Sequence, residues 1–477
     1  MSVAISNVLI KNWTNIRSGR WLRGDVADYD EWAELVDDPR WSYEGMLPYF
    51  KKSEYWFSET ENAEQHGHDG PIYVTSPSAQ NRTYPLNEML EESWHDVGVE
   101  TSSFYDMNAG ENLGLGELNE NREDGRRQIA NTKYSFDGVE VLTEQMVSRV
   151  VLNMGDGTPR ATGVELKNGT KISGREVVVS AGAYRSPQIL MLSGIGPGDQ
   201  LEEHGIDVHM EAPDVGKHLS DHLRFIVDWR LRDPSKGYAV GSDNPLFDEP
   251  QYGLGGHAGY VTSTAADPNG LARAIEADEG ESPSHRAHYL LRRKQATMET
   301  VVEYEVSQPS DEAPADGTHI SSVMVALKPT SRGSVRIRSA KIDDDPIVDP
   351  NYFATEADRF AWREGVREII EVMTGDTPLG RDIIDGETPP SGQEPLNADS
   401  TDDHIEARIR DASSNTYHPM GTCSMGKVVD SELRVLGIEG LRVADASIIP
   451  IAIGAHTQAA TYALAEHAAA IILGRTD

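Results

Sequence analysis

The run EVVVS at residues 176–180 constrains this chain most. It is β-branched, lacks the polar alternation of a half-exposed strand and ends in small residues, as a buried strand feeding a turn does. RSPQILMLSGIG, residues 185–196, then reads as a short helix closed by glycines. Just upstream, residues 141–154 alternate enough for one strand or two. Residues 161–182 read as a hairpin: ATGVEL, the turn NGT, then KISGREVVVS. Nearer the N-terminus, residues 28–56 predict two short helices broken at Pro39, with Asp28 and Ser42 as N-caps, and a third helix covers 86–97. Residues 231–300 are acidic and glycine-rich, with one helical patch near 284–298. Beyond them, HISSVMVAL and SVRIRS read as strands, 358–373 as an amphipathic helix and 374–402 as an exposed loop. Residues 441–450 form a strand and turn, and 456–473 a helix. The fold class is α/β.

Charge narrows the function. Lys and Arg number 43 against 78 Asp and Glu, a net charge of -35. Such a surface repels phosphate backbones and anionic membranes, so nucleic-acid binding is excluded. Only 12 of the 43 basic residues are Lys. Excess carboxylate with few lysines fits a halophilic protein, whose self-repulsion is screened by strong salt. The one cysteine, Cys423, rules out an intramolecular disulfide and a Cys-based zinc site. The start MSVAISNVLIKNW lacks a basic n-region, and the late apolar stretch 459–473 is broken by Glu466 and His467. Neither a signal peptide nor a membrane span is expected, and the default location is cytoplasmic.

A dinucleotide enzyme should open with strand, GxGxxG and helix. The first fifty residues hold only Gly19, Gly24 and Gly45, and GLGGHA at 253–258 has no apolar strand before it and reads as a loop. Among 15 histidines, His66 and His68 beside Asp69 suit a turn better than a metal site. His218 and His222, spaced i, i+4, also read as a turn or helix start. His418 and His456 are the pair with chemistry in view. His418 stands in YHPMGTCSMG, which Pro419 and its glycines keep out of regular structure. His456 stands at the start of an apolar helix, where free N–H groups favour an anion and a neutral imidazole.

These segments resemble, in order, the glucose-methanol-choline (GMC) family of FAD-dependent oxidoreductases. SAGAYRSPQILMLSGIGP at 180–197 is similar to the family's second signature, and DVGKHLSDH at 214–222 to its DVGxNLxDH stretch. LKPTSRGSVRIRS at 327–339, DPNYF at 349–353, YHPMGTCSMG at 417–426, LRVADASIIP at 441–450 and GAHTQAATYALAEHAA at 454–469 complete the pattern. The resemblance covers residues 20 to 473 and is weakest between 231 and 300. It implies a Rossmann-like FAD-binding domain and an α+β substrate part built on an antiparallel sheet. Residues 17–230 would hold the rest of the FAD-binding domain with inserted substrate-domain segments, 231–414 the substrate domain, and 415–477 the return to the FAD-binding domain.

The resemblance also implies site roles. Val147 would offer its backbone to the adenine, and Ala181, Gly182 and Ala183 would lie near the nucleotide end. Asp445 and Ala446 would approach the pyrophosphate and ribitol, and His456, Thr457 and Gln458 would open the helix aimed at the flavin's pyrimidine edge. His418 would take the proton of a primary alcohol, choline being one candidate, while the carbon delivers hydride to flavin N5, and His456 would orient the oxygen. No metal is implied, and the electron acceptor is open.

The chain departs from the family at its start. About eighty residues that carry the first strand and GxGxxG are expected to be missing, so the FAD-binding domain would be incomplete and a sheet edge bare. Residues 1–16 read as a foreign or mis-started N-terminus. A truncated enzyme, a separate chain supplying the missing segment, and a non-catalytic relative without FAD are the three readings. A fourth, a hydroxynitrile lyase-like enzyme, keeps FAD without redox chemistry.

Overall fold

A computed structural model of the protein describes residues 2–5, 19–123, 125–155, 157–249, 258–284 and 288–475. The chain opens with a short strand, β1 (Ser2–Ile5). Helices α1 (Val26–Val36) and α2 (Tyr43–Ser53) follow, parted by a turn at Pro39. Ser42 caps α2 as expected. Asp28 does not cap α1. Asp25 does, and Asp28 closes a capping box by accepting the Asp25 N–H at 2.9 Å. After β2 (Gly114–Glu117), only β3 (Val147–Asn153) of the 141–154 stretch is strand, and residues 138–146 stay irregular.

The long hairpin is corrected too. Strands β4 (Arg160–Leu166) and β5 (Lys171–Ser173) pair with each other, and β4 with β3. The next strand, β6 (Glu176–Val179), leaves them for a different sheet. Its buried valines need cover on both faces, which a parallel sheet flanked by helices provides. Helix α3 (Gly182–Leu192) follows at once. In the second half come β7 (Leu223–Leu231), β8 (Tyr260–Thr264), β9 (Met298–Glu303) and β10 (His319–Ala326). They are followed by helix α4 (Glu356–Thr374), strands β11 (Ile384–Glu387), β12 (Ser414–Asn415) and β13 (Leu441–Val443), and helix α5 (Thr457–Ile472).

Two sheets organise the molecule. The parallel sheet has the order β1-β6-β13, with Val177 opposite both Val3 and Leu441. The expected bare edge is therefore covered by β1, and residues 2–5 belong to the fold. The antiparallel sheet has seven strands in the order β11-β7-β10-β9-β8-β2, with β12 beside β7. The 374–402 loop thus contributes an edge strand. The helical patch near 284–298 is not seen at 288–297, and residues 285–287 lie outside the described residues, as do 253–257 of GLGGHA. A helix at Pro268–Glu279 was not foreseen.

Alternation splits the large sheet into two faces. Leu223, Phe225, Val227 and Trp229 of β7 pack in one core with Trp362, Val366, Ile369 and Met373 of α4. Full burial of each such side chain is worth roughly 1.5–3 kcal/mol. The other face carries Arg224, Ile226 and Asp228 of β7, Val323 and Val325 of β10, and Glu299, Val301 and Glu303 of β9. It turns toward the segment that leads into α5, since Val301 and Val261 share a small core with Ala455. A second core holds the parallel sheet, α2, α3 and α5. No helix among the described residues is long and apolar enough to cross a membrane.

One buried ion pair binds these parts. Asp28 of α1 is fully buried and pairs with Lys328, just after β10. Lys328 Nζ also donates to the Ala452 carbonyl at 3.0 Å, and Asp28 accepts the Gly454 N–H at 2.8 Å. Lys328→Met should leave Asp28 as an unpaired buried carboxylate and cost about 3–5 kcal/mol in urea unfolding. A loss below about 1 kcal/mol would mean the pair does not hold the segment before α5.

Candidate active site

His418 and His456 are brought together, 38 residues apart in sequence. His418 Nε2 lies 3.1 Å from His456 Nδ1, with the rings nearly perpendicular. Both side chains are buried. His456 is the residue before α5, and no side chain caps that helix, so its first N–H groups remain open. The backbone leading to it is pinned by Asp28 and Lys328, and Trp32 Nε1 donates to the Ile451 carbonyl at 2.9 Å.

His418 is fixed from the other side. Its N–H donates to Asp221 Oδ1 at 2.8 Å, and the Tyr352 hydroxyl donates to Asp221 Oδ2 at 2.6 Å. Tyr417 enters at φ 62°, a left-handed conformation a tyrosine rarely adopts. Just after, Gly421 at φ 89° passes so close to His218 that a Cβ would lie 2.4 Å from its carbonyl oxygen.

Three groups that the sequence did not assign complete the site. His222 Nδ1 lies 3.0 Å from His418 Nδ1. Glu299 Oε1 lies 2.8 Å from His456 Nε2. Arg20 stands behind Glu299 at 3.8 Å and pairs with Glu303 at 2.7 Å. The result is a row of three imidazoles ending on a carboxylate. Burial, then the neighbouring His456, His222 and Arg20, hold the His418 imidazole well below its usual value. Burial and His456 push His222 down to about 3. Burial alone would raise the Glu299 carboxyl, but His456, through charge and hydrogen bond, and Arg20 hold it below the usual carboxylate value. His222 belongs to the quoted DVGKHLSDH stretch, so a signal existed, although spacing suggested a turn. Glu299 lies where the chain reads worst, and only strand pairing reveals it.

The remaining predicted residues fall in two places. Ala181 to Ala183 and Asp445 to Ala446 sit at the carboxyl ends of neighbouring parallel strands, where open α/β sheets hold ligands. Asp445 ties them together, accepting from Gly182 N at 2.9 Å, Ser186 Oγ at 2.5 Å and Ser447 N at 2.8 Å. Gly182, at φ 78°, has open space where a Cβ would stand. Thr457 and Gln458 form the first turn of α5 beside His456, whereas Val147 opens β3, buried opposite Leu166. His66 takes no part: it sits between Glu54 at 3.2 Å and Asp106 at 2.9 Å, stacked on Trp56. His218 pairs with Asp214 at 2.7 Å.

Buried donors without partners mark where a cofactor would fit. Gln458 Oε1 accepts from Arg127 Nη2 at 2.5 Å. Gln458 Nε2 and Arg127 Nε are buried and unpartnered among the described residues. Unmet buried donors beside an uncapped helix N-terminus suit an electron-rich, partly anionic ring.

Comparison with known proteins identifies the family. Residues 14–224 and 329–465 match the two family models described as GMC oxidoreductase. The chain is 37% identical over 471 residues to the GMC-type oxidoreductase acuG of Aspergillus aculeatus, covering 98% of this chain and 84% of that one. It is 31% identical over 470 residues to the oxygen-dependent choline dehydrogenase of Brucella canis, covering 96% and 79%. A solved FAD-dependent oxidoreductase from Chaetomium thermophilum superposes with a TM-score of 0.80 at 25% identity, over 96% of this chain and 84% of that chain. The expected loss of the family's GxGxxG segment is not borne out, since the N-terminal family model is matched from residue 14. FAD is the family's cofactor, and the unpartnered donors of Arg127 and Gln458 fit it. The chain belongs to the GMC oxidoreductase family.

Proposed function

We propose that the protein oxidises a primary alcohol to the aldehyde, with His418 as the base. The observation that carries this is the convergence of His418 Nε2 and His456 Nδ1, 3.1 Å apart, in a buried site at an uncapped helix start. Both nitrogens can reach one oxygen lying to the side of the line that joins them. FAD, when bound, supplies the hydride acceptor, N5, which takes two electrons and the carbinol hydrogen.

The side chains divide the proton work. His456 turns Nε2 to the Glu299 carboxylate, which accepts only, so that nitrogen carries a proton. His456 Nδ1, beside His418 Nε2, orients the alcohol oxygen. Burial keeps His418 neutral, and its Nε2 lone pair takes the hydroxyl proton. Its Nδ1–H donates to His222 Nδ1, which fixes the tautomer. Asp221 and Tyr352 act on His418 through its backbone and are positioning residues. Water is kept out by burial, which strengthens each of these contacts.

His418→Ala should slow flavin reduction by an alcohol about 10² to 10⁴-fold in stopped-flow measurements, with the flavin spectrum retained. His456→Asn should be milder than His456→Ala, because Asn still donates to the oxygen. If His418→Ala reduces flavin as fast as the parent, His418 is not the base.

The pH profile follows from the same environment. The neutral form of His418 is the active one, and its pKa is lowered, so the base stays available as pH falls through the usual imidazole value of 6.5. The acidic limb of kcat/KM for the free enzyme should therefore lie below that value. A limb at or above it would contradict the assignment.

A further inference from the structure

The alcohol's far end is decided by the sheet face that floors the site. Pairing across the sheet sets Arg224, Val325 and Glu299 in one row. Arg224 and Glu299 are two strands apart, about 10 Å at ordinary strand spacing. Arg224 is half-buried and lies two residues after His222, which touches His418. Its Nε donates to Ser414 Oγ at 3.1 Å, and its Nη1 and Nη2 have no partner among the described residues. The other guanidiniums of this neighbourhood differ: Arg20 is paired with Glu303 and Arg230 with Asp385.

The carboxylates on this face are already engaged. Glu299 holds His456 and Arg20, Glu303 holds Arg20 and Ser307, and Asp228 accepts from Ser321 Oγ at 2.5 Å. Asp221 is spent on His418 and Tyr352. Between Arg224 and Glu303 the face presents Ile226, Val323, Val325 and Val301, and Glu303 and Tyr417 act on the Arg224 charge. A cationic alcohol such as choline would meet the Arg224 guanidinium and no carboxylate without a partner.

We propose that Arg224 binds the carboxylate of a hydroxy-acid substrate, whose primary alcohol is held between His418 and His456. This rests on the proposed alcohol oxidation. The open Nη1 and Nη2 edge matches the two oxygens of a carboxylate. The net charge of -35 repels an anion at a distance, but that repulsion fades beyond about 10 Å at 0.1 M salt, whereas Arg224 acts at contact.

The test uses the FAD-loaded enzyme with glycolate, 4-hydroxybutanoate, 5-hydroxypentanoate, 1-butanol and choline. Unreactive butanoate serves as a binding probe in calorimetry. The hydroxy acids should give a higher kcat/KM than 1-butanol and choline. Arg224→Met should lower it for them roughly tenfold to a hundredfold relative to 1-butanol and weaken butanoate binding similarly. Arg224→Lys should restore part of both, and Arg224→Glu should move the preference toward choline. If Arg224→Met and Arg224→Lys leave the hydroxy-acid to butanol ratio and butanoate affinity at parental values, the inference is overturned while alcohol oxidation stands. If no alcohol reduces the flavin yet butanoate binds through Arg224, the anion site stands and alcohol oxidation falls.

Discussion

The carboxylate of Asp28 joins three stretches of chain that are far apart in sequence. It closes the start of α1, pairs with Lys328 after the large sheet, and takes the Gly454 N–H two residues before His456. A buried charge is costly to leave alone, so these three must assemble together or not at all. That requirement sets the distance between the antiparallel sheet, which carries Glu299 and Arg224, and helix α5, which carries His456. The active site is thus a consequence of how the two sheets are clamped, and the helix start is aimed before any ligand arrives.

Electrostatics then separates the two histidines. Both are buried imidazoles and would behave alike in the same surroundings. His456 faces a carboxylate, and His418 faces two imidazoles with Arg20 nearby. His456 Nε2 is therefore held by an acceptor, while burial keeps His418 available as a neutral base. The same face engages its carboxylates inside the protein and leaves Arg224 Nη1 and Nη2 without a partner among the described residues, which is the basis of the proposed preference for an anionic substrate end.

Local signals carried much of this. Helices α4 and α5 announce themselves by periodicity, EVVVS by β-branching, and Ser42 by its cap. The hairpin was misread because β4, β5 and β6 are equally β-rich. What separates them is pairing with β13, more than 250 residues later, which no local window contains. Asp28 failed as a cap because Asp25 stands three residues earlier and does the work with it. Of the site, His418 and His456 were legible through their settings and through family resemblance. His222 was marked only by the family stretch around it and Glu299 by nothing, since each takes its role from a partner 196 and 157 residues away. Arg224 looks in sequence like any strand arginine, and its meaning comes from neighbours that do not pair with it.

The central claim is that His418 presents a bare Nε2 as the base. It is tested most directly by ¹⁵N NMR of histidine-labelled enzyme near neutral pH, with resonances assigned through His418→Gln and His456→Gln. The account predicts a proton on Nε2 of His456, the nitrogen that faces Glu299. It predicts that His418 is neutral, with its proton on Nδ1 and a bare Nε2. A protonated Nε2 on His418, or a bare Nε2 on His456, would contradict it.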